Sequence, residues 1–112
     1  MPRMARAAAL VVAALLFALL SCEKAPVTTL ARSHQVRIVD MKFEPDSLTV
    51  HPGDTVIWTN EDMVAHTVVG GPLQSGSIAG GQTYQWTAKE PADIPYVCTL
   101  HPMMSASVTV RR

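Results

Sequence analysis

The sequence lacks an apolar run long enough to form an ordinary membrane-spanning helix. The run from Ala7 to Leu20 has fourteen residues. It would measure roughly 21 Å as a helix, whereas the hydrocarbon core of a bilayer is about 30 Å thick. Arg3 and Arg6 precede the run, and a small residue, Ser21, follows it. This order predicts an export signal over residues 1–21. A core helix of a cytosolic protein is the alternative, but the run is apolar on every face.

Cysteine is scarce as well, with Cys22 and Cys98 alone in the chain. The signal ends in LLSC, which resembles the lipobox of bacterial lipoproteins, in which the cysteine is lipidated and becomes the first mature residue. The resemblance implies lipidation of Cys22, a periplasmic, lipid-anchored protein, and a polar tether over residues 22–33. An ordinary secreted protein cut nearby is the alternative. With Cys22 lipidated, Cys98 has no disulfide partner, and a lone exported thiol is open to oxidation unless it is buried, metal-bound or catalytic.

The sequence also lacks a large excess of charge of either sign. Seven basic residues and nine acidic residues follow Cys22, so we expect no nucleic-acid partner. The sequence shows neither a Ser/His/Asp pattern nor a converging pair of carboxylates, either of which would indicate a catalytic site. We therefore expect that the protein is not an enzyme.

What is present is a series of strand patterns separated by glycine and proline. Residues alternate between apolar and polar in QVRIV, SLTV, QTYQWT and ASVTVR, and TVIWTN is rich in β-branched and aromatic residues. Strands at this spacing indicate an all-β sandwich or barrel, in one domain over residues 34–112. The segment GGPLQSGSIAGG predicts loops around a short strand at Leu73–Ser77. Trp58, Tyr84 and Trp86 are expected in the core.

Four side chains that bind soft metals lie near the ends of these predicted strands. His66 ends the loop NEDMVAH, and Cys98, His101 and Met104 share the stretch YVCTLHPMM. Two imidazoles, a thiolate and a weak axial thioether are the ligand set of electron-transfer copper sites. The spacing C-x2-H-x2-M allows one turn to supply three ligands while a distant loop supplies the fourth. Met103 is chemically able to replace Met104.

The other histidines, methionines and acidic loop residues are assigned no role at this site. His34 and His51 are predicted to lie on the surface, and Met41 and Met63 are predicted to pack rather than bind metal. Glu61 and Asp62 are predicted to form a solvated loop face.

Two stretches together resemble the cupredoxins, or blue type 1 copper proteins, and in particular the plastocyanin/amicyanin group. They are MKFEPDSLTVHPGDTVIWTNEDMVAH and YVCTLHPMM. The resemblance implies a Greek-key β-sandwich and a single copper ion that alternates between Cu(I) and Cu(II). It further implies that His66, Cys98 and His101 are ligands and that Met104 is the axial ligand. Thr67 departs from the pattern, because the family commonly has asparagine after the first ligand histidine.

The resemblance implies electron transport through weak, transient contacts with redox protein partners. Pro102 and Met103 would belong to an apolar docking patch around His101. A second hypothesis is copper delivery or sequestration without redox turnover, in which Met103 and Met104 act as soft Cu(I) ligands. A third is a catalytic mononuclear copper site with an open position, and an axial Met104 argues against it.

Overall fold

The computed structural model describes residues 30–112, and every regular element in this range is a β-strand. In chain order the strands are β1 (Ser33–Val39), β2 (Lys42–Glu44), β3 (Ser47–Val50), β4 (Thr55–Asn60), β5 (Val69–Gly70), β6 (Leu73–Gln74), β7 (Thr83–Thr87), β8 (Ala92–Val97) and β9 (Ser105–Val110). The predicted all-β fold is confirmed. The predicted signal over residues 1–21 and Cys22 lie outside the described residues. Over residues 30–112, no helix has the length and apolar character needed to cross a bilayer.

The strands form two sheets that both contain parallel and antiparallel pairs. One sheet has the order β2-β1-β4-β7, and the other has the order β3-β9-β8-β5-β6. β1 runs parallel to β4, with Ser33 opposite Thr55 and Ile38 opposite Asn60. β3 runs parallel to β9, and the other pairs are antiparallel. Because β1 and β4 run in the same direction, the loops that follow them emerge at the same end of the sandwich.

An aromatic cluster joins the two sheets in the core. Trp58 on β4 is fully buried, and its indole Nε1–H donates to the hydroxyl of Tyr96 on β8 at 3.1 Å. The two rings meet edge to face with centroids 5.7 Å apart, and Phe43 packs on Tyr96 at 4.9 Å. The predicted core position of Trp58 is therefore confirmed. Tyr84 and Trp86 are only partly buried and pack at the margin of the core, because β7 is an edge strand.

The glycine-rich segment contains less strand than its sequence predicts. The strand expected at Leu73–Ser77 is limited to β6, which pairs with the equally short β5. β5 approaches β8 very closely, because a Cβ atom at Gly70 would lie 2.1 Å from the carbonyl oxygen of Pro95. Only glycine allows this spacing between the two backbones.

Candidate metal centre

The loop that ends at His66 is attached to the glycine-rich segment by two backbone hydrogen bonds. The amide of His66 donates to the carbonyl of Ile78 at 3.1 Å, and the amide of Ile78 donates to the carbonyl of His66 at 2.7 Å. This isolated bridge lies outside the nine strands. It fixes the backbone of His66 although the residue is in a loop.

The loop between β8 and β9 is closed by its own backbone. The amide of Cys98 donates to the carbonyl of Met104 at 3.1 Å, and the amide of Met104 donates to the carbonyl of His101 at 2.9 Å. The amide of His101 donates to the carbonyl of Cys98 at 3.3 Å. The loop is therefore a compact turn that places Cys98, His101 and Met104 at one end of the sandwich, as the spacing predicts.

The two loops bring one thiol and two imidazoles to a common point. The Sγ atom of Cys98 lies 3.7 Å from Nδ1 of His66 and 3.6 Å from Nδ1 of His101, and the two Nδ1 atoms are 3.2 Å apart. Metal bonds of about 2.0 Å to nitrogen and 2.3 Å to sulfur, arranged trigonally, separate such donors by about 3.5 and 3.7 Å. The three side chains therefore have the spacing that one ion requires.

Burial differs among the four predicted ligands. His66 and Cys98 are fully buried and Met104 is almost so, whereas His101 is partly exposed. Met103 is 96% exposed, which favours Met104 over Met103 as the source of an axial thioether. The backbone places Met104 in the closed turn, and its role as the axial ligand stays a prediction.

The surroundings of Cys98 favour the thiolate, which is the form that binds metals. Burial opposes ionisation of this thiol. The amide of Thr67, which donates to Sγ at 3.4 Å, the imidazole of His101 at 3.6 Å and the amide of Leu100 outweigh that effect. Together they lower the pKa of Cys98 to about 6.

Thr67 connects the two ligand loops. Its Oγ1 accepts a hydrogen bond from the amide of Thr99 at 2.8 Å and lies 2.8 Å from the Thr99 hydroxyl. The departure from the asparagine that is common in the family therefore does not leave the loops unconnected. A shorter side chain makes the link, and a threonine in the partner loop completes it.

Asp62 was predicted to be solvated, and this prediction is wrong. Its Oδ2 lies 2.8 Å from Nε2 of His66, and its carboxylate also accepts hydrogen bonds from the amides of Asp40 at 2.8 Å and Met41 at 3.0 Å. The hydrogen bond from Met41, together with those from His66 and Asp40, lowers the pKa of this carboxyl despite partial burial. The sequence signal was a carboxylate four residues before a candidate ligand histidine, since metal-bound histidines usually donate their second N–H to such a group.

The histidines that were assigned no metal role lie away from the site. His34 is partly buried rather than on the surface, because its Nε2 is 2.9 Å from the buried Asp54 carboxylate. His51 is exposed, as predicted. Met63 is fully exposed, so its prediction as a packing residue is wrong.

Known proteins resemble this chain in both fold and sequence. The family model described as a cupredoxin-like domain matches residues 9–110. The chain is 34% identical over 87 residues to amicyanin-alpha of Methylorubrum extorquens, an alignment that covers 71% of this chain and 73% of that protein. It is 38% identical over 82 residues to amicyanin of Paracoccus denitrificans, covering 67% of this chain and 63% of that protein. A solved reduced Cu(I) form of an amicyanin variant matches with a TM-score of 0.66 and 35% identity, over 70% of this chain and 82% of that one.

The fold, the donor cluster and these similarities define the class: the chain belongs to the cupredoxin-like family. Two imidazoles and a thiol at trigonal spacing also suit the metal of that class. Family membership and the donor set thus confirm the predicted cofactor, one copper ion.

Proposed function

We propose that this protein is a mononuclear type 1 copper electron carrier. His66, Cys98 and His101 bind the ion, and Met104 supplies the weak axial sulfur. The observation that carries the proposal is the mutual spacing of one sulfur and two nitrogen atoms, which lie 3.2–3.7 Å apart. They come from two loops, and His66 in the first is 32 residues before Cys98 in the second. When bound, copper supplies one-electron chemistry by alternating between Cu(I) and Cu(II).

The residues around the site support rapid electron exchange by resisting movement. His66 is held by the backbone bridge to Ile78, and Cys98 is held by its backbone hydrogen bond to Met104. Thr67 ties the two loops together. A donor set that keeps one arrangement reorganises little when the metal changes its oxidation state, and little reorganisation favours fast electron transfer.

The surface around the site suits brief contacts with redox protein partners. Beside the partly exposed His101, the ligand loop exposes Leu100 and Met103, and the loop before His66 exposes Met63 and Val64. Exposed apolar side chains at the end of the sandwich that carries the metal site form a surface for weak, transient protein contacts. We infer that partners dock here and exchange electrons through His101, without forming a permanent complex.

The protein acts outside the cytoplasm, held at the periplasmic side of a bacterial membrane by lipid on Cys22. Support comes from the basic start, the short apolar run and LLSC, with a signal at 1–21, a tether at 22–33 and the copper domain at 34–112. Cys22→Ser should release the protein from the membrane fraction, and mass spectrometry should no longer detect acyl chains. Retention of the variant in that fraction would contradict lipid anchoring.

A second candidate function is copper delivery or sequestration, and the exposed thioether of Met103 beside the site favours it. A reversible reduction potential with fast self-exchange supports the electron carrier. One-way transfer of the metal ion to an acceptor protein supports delivery instead.

The absorption spectrum of the copper-loaded protein tests the proposed site directly. We expect an intense blue colour in the oxidised state, from charge transfer between the Cys98 thiolate and copper, and we expect Cys98→Ser to abolish it. Cys22→Ser is the matched control, because it removes the other sulfur of the same kind and should leave the colour unchanged. A colourless copper-loaded protein, or colour that survives in Cys98→Ser, would refute the assignment.

A further inference from the structure

The two ring nitrogens of His66 face different groups on opposite sides of the ring. Nδ1 faces Sγ of Cys98 at 3.7 Å, while Nε2 is 2.8 Å from Oδ2 of Asp62. The His66 side chain is fully buried. Nδ1 also lies 3.2 Å from Nδ1 of His101. The proton of His66 therefore has competing neighbours on both sides, the Cys98 sulfur and the His101 imidazole on the metal side and the Asp62 carboxylate on the far side.

The position of that proton decides whether Nδ1 can bind a metal. A neutral imidazole carries one proton, and the nitrogen without it has the lone pair that binds the ion. An ionised carboxylate only accepts hydrogen bonds, so its close contact with Nε2 requires the proton there. The Asp62 contact at 2.8 Å is a short, charge-assisted hydrogen bond. The His101 nitrogen and the Cys98 sulfur are farther from Nδ1, at 3.2 and 3.7 Å.

We propose that Asp62 is a positioning residue that keeps the proton of His66 on Nε2 and so prepares Nδ1 for copper before the ion arrives. This inference rests on the proposed role of His66 as a ligand. Asp62 acts through His66 and does not contact the metal itself.

Asp62 can do this because it is itself held in place. Its Oδ1 accepts from the amide of Asp40 and its Oδ2 from the amide of Met41, at 2.8 and 3.0 Å. Its own amide donates to Oδ1 of the fully buried Asn60 at 2.9 Å. The carboxylate is thus fixed both by its own backbone and by the turn that follows β1.

The backbone turn at Asp40 and Met41 also depends on Asp62. Asp40 and Met41 both have positive φ angles, 52° and 61°, which side chains other than glycine seldom adopt. The carboxylate binds both of their amides. One side chain therefore stabilises this turn and orients a candidate ligand.

Glu61 provides a matched control, because it is the adjacent carboxylate and makes different contacts. It pairs with the Arg37 guanidinium on the exposed face of the sheet. Glu61→Ala removes the same charge from the same loop and leaves the Asp62–His66 contact in place. Asp62→Ala removes the acceptor from Nε2 of His66.

The first measurement needs no variant. Long-range ¹H–¹⁵N NMR spectra of the metal-free protein at pH 8, where an ordinary imidazole is neutral, report which nitrogen of His66 carries the proton. We expect the proton on Nε2. A proton on Nδ1, or an equal mixture of the two forms, overturns the inference even if Asp62→Ala does not fold.

The second measurement compares variants that fold, as judged by circular dichroism. In Asp62→Ala we expect the Nδ1–H form to appear and Cu(I) affinity, measured by competition with a chromophoric chelator, to fall about 10–100-fold. Glu61→Ala should match the parent protein in both respects. Parent-like affinity in Asp62→Ala, or an equal loss in Glu61→Ala, overturns the role of Asp62. Failure of the parent protein to bind copper would instead refute the proposed function, and the NMR result is independent of copper.

Discussion

Removing the hydroxyl of Thr67 should loosen the connection between the two ligand loops. Thr67→Val keeps the branched shape of this buried side chain but deletes the oxygen that accepts the Thr99 amide at 2.8 Å. The amide then has no partner in the fold, and leaving a buried donor unpaired costs about 1–3 kcal/mol. Thr99 itself is exposed, so water can reach part of the site. We therefore expect a loss of about 1–2 kcal/mol in the free energy of unfolding.

Urea unfolding of the metal-free protein measures this loss, because bound copper would add its own stabilisation. For a domain of this size, 1 kcal/mol corresponds to about 4–8 °C in Tm, so the melting temperature should fall by about 4–16 °C. Thr87→Val is the matched control. Its hydroxyl lies 3.4 Å from that of Thr55 on an exposed edge, and the change should stay within about 0.5 kcal/mol.

The copper-loaded Thr67→Val protein should remain blue, because the backbone amide that donates to Cys98 Sγ is unchanged. Its electron self-exchange should be slower, because the ligand loops move more independently. If Thr67→Val is no less stable than Thr87→Val, the hydroxyl does not hold the loops together and the reasoning fails.

Three further predictions test the packing of the β-strands and the ionisation of two side chains. Gly70→Ala should destabilise the protein more than Gly76→Ala in urea unfolding, because the Cβ at position 70 would lie 2.1 Å from the Pro95 carbonyl oxygen. The Cβ at position 76 meets nothing within 4 Å, and the substitution there strains only a backbone φ of +64°. Equal losses of stability would contradict the close approach of β5 and β8. Hydrogen bonds from the backbone amides of His51 and Arg32 and from the His34 ring lower the pKa of Asp54. The stabilisation from this carboxylate is therefore complete above its unfolded pKa of about 3.9 and is lost as the pH falls towards its lower folded value. Asp54→Asn should accordingly cost more stability at pH 7 than at pH 3, and an equal cost at both pH values would show that the carboxylate charge is not responsible. The ultraviolet absorption of the Cys98 thiolate in the metal-free protein should rise with a midpoint near pH 6, the pKa of this buried thiol, and bound copper should remove this transition. A midpoint near pH 9 would mean that the neighbouring amides and the His101 imidazole do not stabilise the thiolate.

The sequence by itself determined the fold class and named the candidates for the site. Alternation of apolar and polar residues is a local property of a strand with one buried face, so it is visible without a structure. The spacing of Cys98, His101 and Met104 is local too, because one short turn contains all three. The motif around His66 identified the remaining candidate by resemblance, although no local rule shows that it approaches Cys98.

The tertiary structure alone decided how the separate loops meet. The 3.7 Å distance between His66 and Cys98 depends on the pairing of β5 with β8, in which Val69 lies opposite Val97, and so do the contacts that Thr67 makes with Thr99. Asp62 was mistaken for a solvated residue because its partners include amides more than twenty positions earlier in the chain. Met63, one residue further along, is apolar and yet fully exposed. Composition and periodicity describe neighbours along the chain, whereas hydrogen bonds between loops and the exposure of loop side chains are set by neighbours in space.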